Sequence, residues 1–463
     1  MANEKVNLRL LVLEMLMEVT ENRNGGTYSH VAVRDVLNKY NYLSQQEKSF
    51  LKRLFEGTLE RMIELDFVIN QYSKVKTDKM KPQIRAILRM GVYQILYMDA
   101  VPDAAACNEA VKLAQKKGFA TLKGFVNGVL RNIAKSKENL EYPNLSVKYS
   151  MPEWIVKLWT NQLGEEKTLA VLEGLLLEHP VTIRLRDKSV KEILQQALTA
   201  QGGSMERHLY LEDAYQIVKT DDITRLPFYG EGAFVIQDVS SMLAVRAVLS
   251  GEFLSQFKAE GKKMHIVDTC AAPGGKSMLI ADLMHDAGFA CEDFKIEARD
   301  ISENKVRLMA ENFARCGFEK DCVSAVVYDA LMSDECETAD IVIADVPCSG
   351  LGVIGKKRDI KYKVTETQLE ELVTLQRCIL KKAVAMLKPN GRMLFSTCTI
   401  NRAENEENFE WLKKELKMTP VSFWEALPEC LCSESTETAR EGYLQLLPKI
   451  NDTDGFFIGI LKK

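Results

Sequence analysis

Residues 268–277 read DTCAAPGGKS, and the apolar run HIV at 265–267 directly precedes them. A strand that ends in a tight glycine turn and then opens a helix is typical of a ligand-binding loop. Small residues let the backbone approach the ligand, and the free N–H groups of a helix N-terminus attract a carboxylate. A Walker A loop would need glycine where Cys270 stands, and the GxGxxG fingerprint of dinucleotide sites is absent. The stretch therefore predicts a site for a small ligand that neither a Walker A loop nor a dinucleotide fingerprint would bind. A plain structural turn is the alternative.

The pattern around this loop alternates strands with helices from about residue 236 onward. The β-rich runs are HIVDTC (265–270), FKIEARD (294–300), AVVYDA (325–330), IVIADV (341–346) and GRMLFSTC (391–398). Each is followed by a loop and a helix-like stretch, which indicates βαβ units and a mostly parallel sheet. We expect a Rossmann-like sheet of seven strands, closed by an antiparallel hairpin from residues 442–449 and 455–463.

Acidic residues stand at the ends of three of these runs: Asp300, Asp329 and Asp345. Ligands of parallel sheets lie beyond the carboxyl ends of the strands. Asp300 is placed to hold the ribose hydroxyls of an adenosine-type cofactor, and Asp329 to meet the adenine. One aspartate at a strand end is ordinary turn chemistry. Three of them after a glycine-rich first loop favour a nucleoside-type cofactor.

Two cysteines follow apolar strands directly, Cys348 in DVPCSG (345–350) and Cys398 in STCT (396–399). A cysteine at a strand end is usually an inert small hydrophobe, but two at the ligand edge of one sheet suggest covalent catalysis. A thiolate that adds to carbon 6 of cytosine makes carbon 5 nucleophilic enough to accept a methyl group. Asp345 is placed to protonate or hydrogen-bond the N3 and amino edge of the ring. The residues alone do not rank the two thiols as nucleophile.

The chain upstream of residue 236 has a different organisation. Residues 5–135 show helical spacing of apolar residues throughout, and 134–146 is polar with a proline, which predicts a linker. VTIRLR (181–186) alternates like a strand, and a helix follows it. We predict three domains: 1–140 all-helical, 141–235 small α+β, and 236–463 catalytic.

Charge and cysteine usage limit the function classes. The net charge is −4, but residues 1–140 carry 22 Lys and Arg against 15 Asp and Glu, and the remainder carries 39 against 50. A basic first third predicts contacts with phosphate backbones, with a solvated helical surface as the alternative. The eleven cysteines show no Cys-x-x-Cys and no histidine at zinc-ligand spacing, which predicts reduced thiols in a cytoplasmic protein and no metal. No apolar run is long enough for a membrane span.

DTCAAPGGKS, DVPCSG and STCT together resemble the RNA cytosine-5 methyltransferases of the NOL1/NOP2/Sun family. GAFVIQDVSSM (232–242) resembles the start of their catalytic domain. FVNGVLR (125–131) and NEAVK (108–112) resemble the all-helical, RNA-binding NusB fold. A NusB-like domain ahead of such a catalytic domain is typical of the bacterial members that act on 16S ribosomal RNA.

The resemblance implies a fold, a cofactor and roles for the site residues. The fold is an all-α NusB-like N-domain, a small α+β connector and an α/β Rossmann-like class I methyltransferase domain. The cofactor is S-adenosylmethionine. Its implied contacts are Cys270, Ala271, Ala272, Pro273, Gly274, Gly275, Lys276, Asp300, Asp329 and Asp345. Cys398 is implied as the nucleophile, with Cys348 as the thiol that helps expel it and Asp345 as the third catalytic residue. We expect a monomer whose partner is 16S rRNA, free or in early assembly, and neither a membrane nor DNA.

One loop departs from the family pattern. Before Asp359 the family has a run like Arg-Arg-x-Pro-Asp, whereas this chain has Gly355-Lys-Lys-Arg358. The positive charge is kept and the stiffness of proline is lost, which affects how RNA is placed. Two other functions stay open: the same chemistry on tRNA, and a non-catalytic RNA-binding or antitermination factor. In DNA cytosine methyltransferases the Pro-Cys thiol attacks, so Cys348 is the alternative nucleophile.

Overall fold

Helices form wherever the apolar residues of the first third recur at helical spacing. In the computed structural model, which describes residues 6–21, 27–178, 180–219 and 222–463, contacts divide the chain into two units. The first comprises 1–176 with 354–363, and the second 177–353 with 364–463. The predicted functional domains 1–140, 141–235 and 236–463 stay a prediction.

Over its described residues the first unit is all-helical, as predicted. Its first seven α-helices share an apolar core that includes Leu13, Leu54 and Ile87. Local signals set two of the helix starts: a capping box of Ser44 and Glu47, and Pro82 in a first turn. The helices are α1 (Leu8–Glu21), α2 (Ser29–Lys39), α3 (Gln45–Glu60), α4 (Met62–Tyr72), α5 (Pro82–Tyr97), α6 (Asp103–Lys116), α7 (Lys123–Ser136), α8 (Leu145–Lys148), α9 (Glu153–Leu163), α10 (Glu165–Gly174) and α16 (Ile360–Lys363).

The predicted linker at 134–146 is wrong. Leu140 and Tyr142 pack against the helical core, and the Tyr142 hydroxyl donates to Glu64, which is almost fully buried. A buried carboxylate needs hydrogen-bond donors, so this polar stretch is held in place by the core it follows. The first unit continues through α10.

The loop that differs from the family pattern lies within residues 354–363, which belong to the first unit. Arg358 forms ion pairs with Glu56 and Glu60, and Asp359 accepts hydrogen bonds from the backbone N–H and hydroxyl of Ser29. Lys361 is 1% exposed and donates to two backbone carbonyl oxygens. The positive charge of Arg358 is therefore neutralised by two carboxylates of the same unit.

The second unit begins with a small antiparallel sheet in the order β2-β3-β1-β4, packed on α11. Its elements confirm the predicted strand and helix after residue 181. They are β1 (Val181–Leu185), α11 (Lys191–Ala200), β2 (Ser204–Arg207), β3 (Ala214–Val218) and β4 (Phe234–Ile236).

The large sheet has the order β10-β12-β9-β8-β5-β6-β7, with β11 also paired to β12. Strands β5 to β9 run parallel, and β12 is antiparallel to β9 and β11, which confirms the closing hairpin. The strands are β5 (Met264–Asp268), β6 (Phe294–Asp300), β7 (Val323–Val327), β8 (Ala339–Asp345), β9 (Leu387–Thr397), β10 (Thr419–Pro420), β11 (Tyr443–Leu446) and β12 (Phe456–Lys462). The helices are α12 (Val239–Val248), α13 (Phe253–Glu260), α14 (Gly275–Asp286), α15 (Glu303–Arg315), α17 (Glu366–Met386) and α18 (Glu406–Glu415).

The expected count of seven strands is wrong by one. The position beside β12 is occupied in two pieces, because β11 pairs with residues 456–459 and the two-residue β10 pairs with 461–462. Both faces of the sheet are buried. Ile266 and Ile343 lie in one apolar cluster, and Val267 and Val342 in the other, since successive side chains of a strand point to opposite faces.

None of the helices in the described ranges is long and apolar enough to cross a membrane.

Candidate active site

The glycine-rich loop joins β5 to α14 through a backbone turn that only glycine fits easily. The Gly274 N–H donates to the Ala271 carbonyl oxygen at 2.7 Å, and Gly274 has a φ of +96°. A Cβ at this position would lie 2.7 Å from the Phe313 ring. Because α14 begins at Gly275, the loop places the unpaired N–H groups of a helix N-terminus at the carboxyl edge of the sheet.

A buried carboxylate lies under this loop. Asp268 is 1% exposed, and one of its oxygens accepts from the Ser277 hydroxyl at 2.8 Å. The other oxygen is buried and has no hydrogen-bond partner in the part of the chain that the structure describes. Burial raises the pKa of Asp268 to about 7, against the lowering effect of the nearby Lys276. An unsatisfied buried acceptor beside a helix N-terminus suits a ligand that brings its own hydrogen-bond donor.

The predicted acidic residues of the next two strands differ in their surroundings. Asp300 ends β6, is 5% exposed, and accepts from the Ser302 N–H while it pairs with Lys305 at 3.4 Å. Asp329 lies two residues beyond β7 and accepts from the Leu331 N–H at 2.9 Å, which caps a short turn. One oxygen of Asp329 is therefore used in turn chemistry.

Asp345 is held by two donors. Its Oδ2 lies 2.6 Å from the Lys276 ammonium, and its Oδ1 accepts from the Ser396 hydroxyl at 2.8 Å. Burial alone would lower the pKa of Lys276, but the Asp345 carboxylate reverses the shift and raises it. The lysine of the glycine-rich loop thus links that loop to Asp345.

Cys348 and Cys398 meet at the same edge, with their sulfur atoms 3.4 Å apart. Both side chains are half-buried. The hydrogen bond to Cys398, together with burial, raises the pKa of the Cys348 thiol well above its usual range. The protonated form of Cys348 is therefore favoured, and either sulfur of the pair can act as the hydrogen-bond donor.

Cys270, a third cysteine of the predicted site, lies in surroundings that favour its protonated form. Burial raises its pKa to about 12, and the side chain packs against an apolar cluster of the sheet.

A fully buried glutamate, Glu404, joins the two cysteine loops, and sequence reasoning missed it. Its carboxylate accepts from the backbone N–H and hydroxyl of Ser349, next to Cys348, and from the Gln376 side chain. The Ser349 hydroxyl also contacts Thr399, next to Cys398, at 2.6 Å. The polar run NRAEN (401–405), which begins four residues after the end of β9, was the signal available in the sequence.

Comparisons with known proteins agree along the whole chain. The profile of the family described as 16S rRNA methyltransferase RsmB/F matches residues 257–462, and that of the NusB family matches residues 6–135. The probable ribosomal RNA small subunit methyltransferase B of Bacillus subtilis (strain 168) is 33% identical over 472 residues, covering 99% of both chains.

Two solved structures share the fold. The crystal structure of PH0851 matches with a TM-score of 0.74 and 23% identity, covering 99% of this chain and 100% of that one. The structure of NSun6 from Pyrococcus horikoshii with SFG matches with a TM-score of 0.54 and 21% identity, covering 67% of this chain and 98% of that one.

Proposed function

The chain belongs to the 16S rRNA methyltransferase RsmB/F family, whose members methylate small-subunit ribosomal RNA. On that premise we propose that it transfers a methyl group from S-adenosylmethionine to carbon 5 of a cytosine in 16S rRNA. The observation that carries this proposal is the pair of thiols 3.4 Å apart beside the Asp345–Lys276 ion pair. One thiol would be enough to attack the base. A second thiol beside it can also assist the release of the methylated base.

In this mechanism Cys398 is the nucleophile. Its thiolate adds to carbon 6 of the target cytosine, which forms the sulfur–carbon bond and moves electron density to carbon 5 and N3. We assign to Asp345, whose Oδ2 lies 2.6 Å from the Lys276 ammonium, the role of protonating or hydrogen-bonding the N3 and amino edge of the ring. The target base must be single-stranded or flipped out to reach these groups.

Release reverses the attack. After methyl transfer a base removes the proton from carbon 5, and the carbon–sulfur bond breaks so that its electron pair leaves with the Cys398 sulfur. N3 returns the proton that it accepted to the Asp345–Lys276 pair, which restores the neutral ring. Cys348, which retains its proton, donates a hydrogen bond to the departing sulfur. Glu404 holds both cysteine loops in this arrangement through Ser349.

The described residues fit S-adenosylmethionine, which supplies an electrophilic methyl group when bound. The unsatisfied oxygen of Asp268 suits its ammonium group, and the N-terminus of α14 suits its carboxylate. Cys270, Ala271, Ala272, Pro273, Gly274, Gly275 and Lys276 form the loop that would enclose it. Asp300 would hold the ribose and Asp329 the adenine. SFG, seen with the P. horikoshii relative, is an analogue of this cofactor.

We expect Asp300→Ala to weaken cofactor binding by roughly 1–3 kcal/mol, because ribose hydroxyls are left unpaired. Isothermal titration calorimetry on the folded variant measures this loss. Glu303→Ala is the matched control, since Glu303 is an exposed carboxylate at the start of the next helix. Equal affinities for the wild type and Asp300→Ala would contradict the assignment.

The NusB-like region is proposed to bind RNA through its basic charge. We expect the triple variant Lys116→Glu, Lys123→Glu, Arg131→Glu to bind an rRNA fragment more weakly. All three side chains are exposed on α6 and α7. The slope of log affinity against log salt should fall by roughly 2, at about 0.7 per lost phosphate contact on single strands.

The control for this salt titration is a triple variant that replaces Lys262, Lys263 and Lys320 with glutamate and so reverses their charge. These residues are exposed at the amino edge of the large sheet, away from the proposed active site. A triple variant on α6 and α7 that matches this control in affinity and slope would assign RNA binding to another surface.

A bisulfite map of ribosomal RNA and tRNA, made with and without the protein, tests the function itself. We expect one protected cytosine in 16S rRNA, in free or early-assembly RNA rather than in the finished subunit. The protein would act as a monomer in the cytoplasm, where its thiols stay reduced. Protection in tRNA alone would change the substrate, and cofactor binding without any protected cytosine would favour a non-catalytic RNA-binding factor.

A further inference from the structure

A second group of thiol and imidazole side chains lies at the opposite, amino edge of the large sheet. His285 is in the last turn of α14, Cys291 in the turn before β6, and Cys322 directly before β7. One ligand atom from each side chain lies within 4.8 Å of the other two. The Cys291 sulfur and His285 Nε2 are 3.8 Å apart.

The sequence alone hides this cluster. Cys322 stands 31 residues after Cys291, and no standard zinc-ligand spacing relates the three residues. They meet because β6 and β7 are parallel neighbours, so the turns that precede them lie side by side. Helix α14 starts at the ligand edge of the sheet and brings His285 back to the other edge.

We propose that His285, Cys291 and Cys322 bind a zinc ion, with water as the fourth ligand. Two thiolates and one imidazole are the donors that Zn²⁺ prefers, at about 2.3 Å from sulfur and about 2.0–2.1 Å from nitrogen. Those bond lengths place the ligand atoms of a tetrahedral site roughly 3.5–3.8 Å from one another. The Cys291–His285 distance of 3.8 Å lies at the upper end of that range. The other two distances are at most 4.8 Å, so metal binding would shorten each of them by at most about 1.3 Å.

The surroundings suit a bound metal on three counts. Cys322 is fully buried, so its sulfur is shielded from water and oxidants. The His285 ring packs edge-on against Phe294, with ring centroids 5.4 Å apart, which orients the imidazole. His285 itself is exposed, which leaves an open side for the water ligand. Binding releases the two thiol protons to solvent, and no oxidation or reduction takes place.

Such a site would stabilise the catalytic domain at the edge of the sheet opposite the cofactor loop. It would join the C-terminal end of α14 to the turns before β6 and β7. The N-terminal end of the same helix carries the loop of residues 270–276, and Asp300 ends β6. The metal would therefore fix the elements that present the proposed cofactor contacts, without touching the reacting atoms.

The test uses the full-length protein, purified in reducing buffer without chelators. Mass spectrometry of metal content should find about one zinc per chain, and Co²⁺ in place of zinc should give a thiolate-to-cobalt charge-transfer band. Cys291→Ser and His285→Gln should each lose the metal and the band. Cys378→Ser, a change at an exposed cysteine elsewhere, should keep both.

Thermal unfolding gives an independent readout. Zinc should raise the melting temperature of the chelator-treated wild type and of Cys378→Ser, and leave that of Cys291→Ser unchanged. Zinc that stays in Cys291→Ser, or a wild type that binds none after reduction, would overturn the proposal. A Cys291–Cys322 disulfide in protein kept under anaerobic conditions would overturn it in favour of a redox pair.

Discussion

Cys398→Ala is expected to abolish methyl transfer, with a loss of roughly four orders of magnitude or more, as for other enzymes that lose a covalent nucleophile. Carbon 5 of cytosine is a weak nucleophile, and without addition at carbon 6 it does not attack the methyl donor. Cys348 does not replace the missing group, because burial and its hydrogen bond to Cys398 favour its protonated form. The variant should still fold, bind the cofactor and bind RNA.

Transfer of a radiolabelled methyl group to an rRNA fragment measures this loss. Cys378→Ala is the matched control, since it removes an exposed thiol of α17. Calorimetry on both variants separates the chemistry from cofactor binding. Full activity in Cys398→Ala would rule out covalent catalysis by this residue.

The sequence predicted those parts of the fold that depend on local patterns. Apolar runs followed by polar strand ends placed β5, β6, β8 and β9 within a few residues, and helical spacing predicted the all-α first unit. The same patterns predicted that Asp300, Asp345 and the two cysteines lie at one edge, because the carboxyl ends of parallel strands meet there. They did not predict the strand order, since β8 pairs with β5 and not with β7, the strand before it in the chain.

Contacts between distant residues could not be predicted in this way. Ser349 and Glu404 are 55 residues apart, and Arg358 and Glu56 are 302 apart. No periodicity records which side chains meet across that distance, since the meeting depends on register and loop path. For the same reason the ion pair between Lys276 and Asp345 was not predicted. The sequence suggested both residues only as contacts of the ligand.

The failure at 134–146 has a different cause. A polar segment is a linker only where none of its side chains is needed as a hydrogen-bond partner by a buried group. Here the Tyr142 hydroxyl donates a hydrogen bond to the buried Glu64 carboxylate. The extra edge strand β10 is two residues long, too short to give an alternating pattern. Both errors concern segments whose structure is determined by the surface they pack on.

Cys348→Ala is expected to give the opposite signature from Cys398→Ala: a covalent protein–RNA complex that accumulates. Attack by Cys398 does not need the Cys348 proton, so the adduct forms and the methyl group is transferred. Release does need it, because the Cys348 thiol, 3.4 Å from the Cys398 sulfur, stabilises the departing thiolate. A hydrogen bond to a charged group contributes about 1.5–3 kcal/mol, so elimination should slow by roughly 10- to 150-fold.

Denaturing electrophoresis with a labelled rRNA fragment detects the trapped complex. The band should require S-adenosylmethionine, resist reducing agents, and disappear in the Cys348→Ala, Cys398→Ala double variant. Cys348→Ser, which restores a hydroxyl donor, should trap less RNA than Cys348→Ala. If Cys398→Ala traps RNA and Cys348→Ala does not, the roles are reversed, and Cys348 attacks as the Pro-Cys thiol does in the DNA enzymes. The Asp345–Lys276 pair would then serve the same base edge, because Asp345 lies three residues from Cys348 and bonds Ser396 two residues before Cys398.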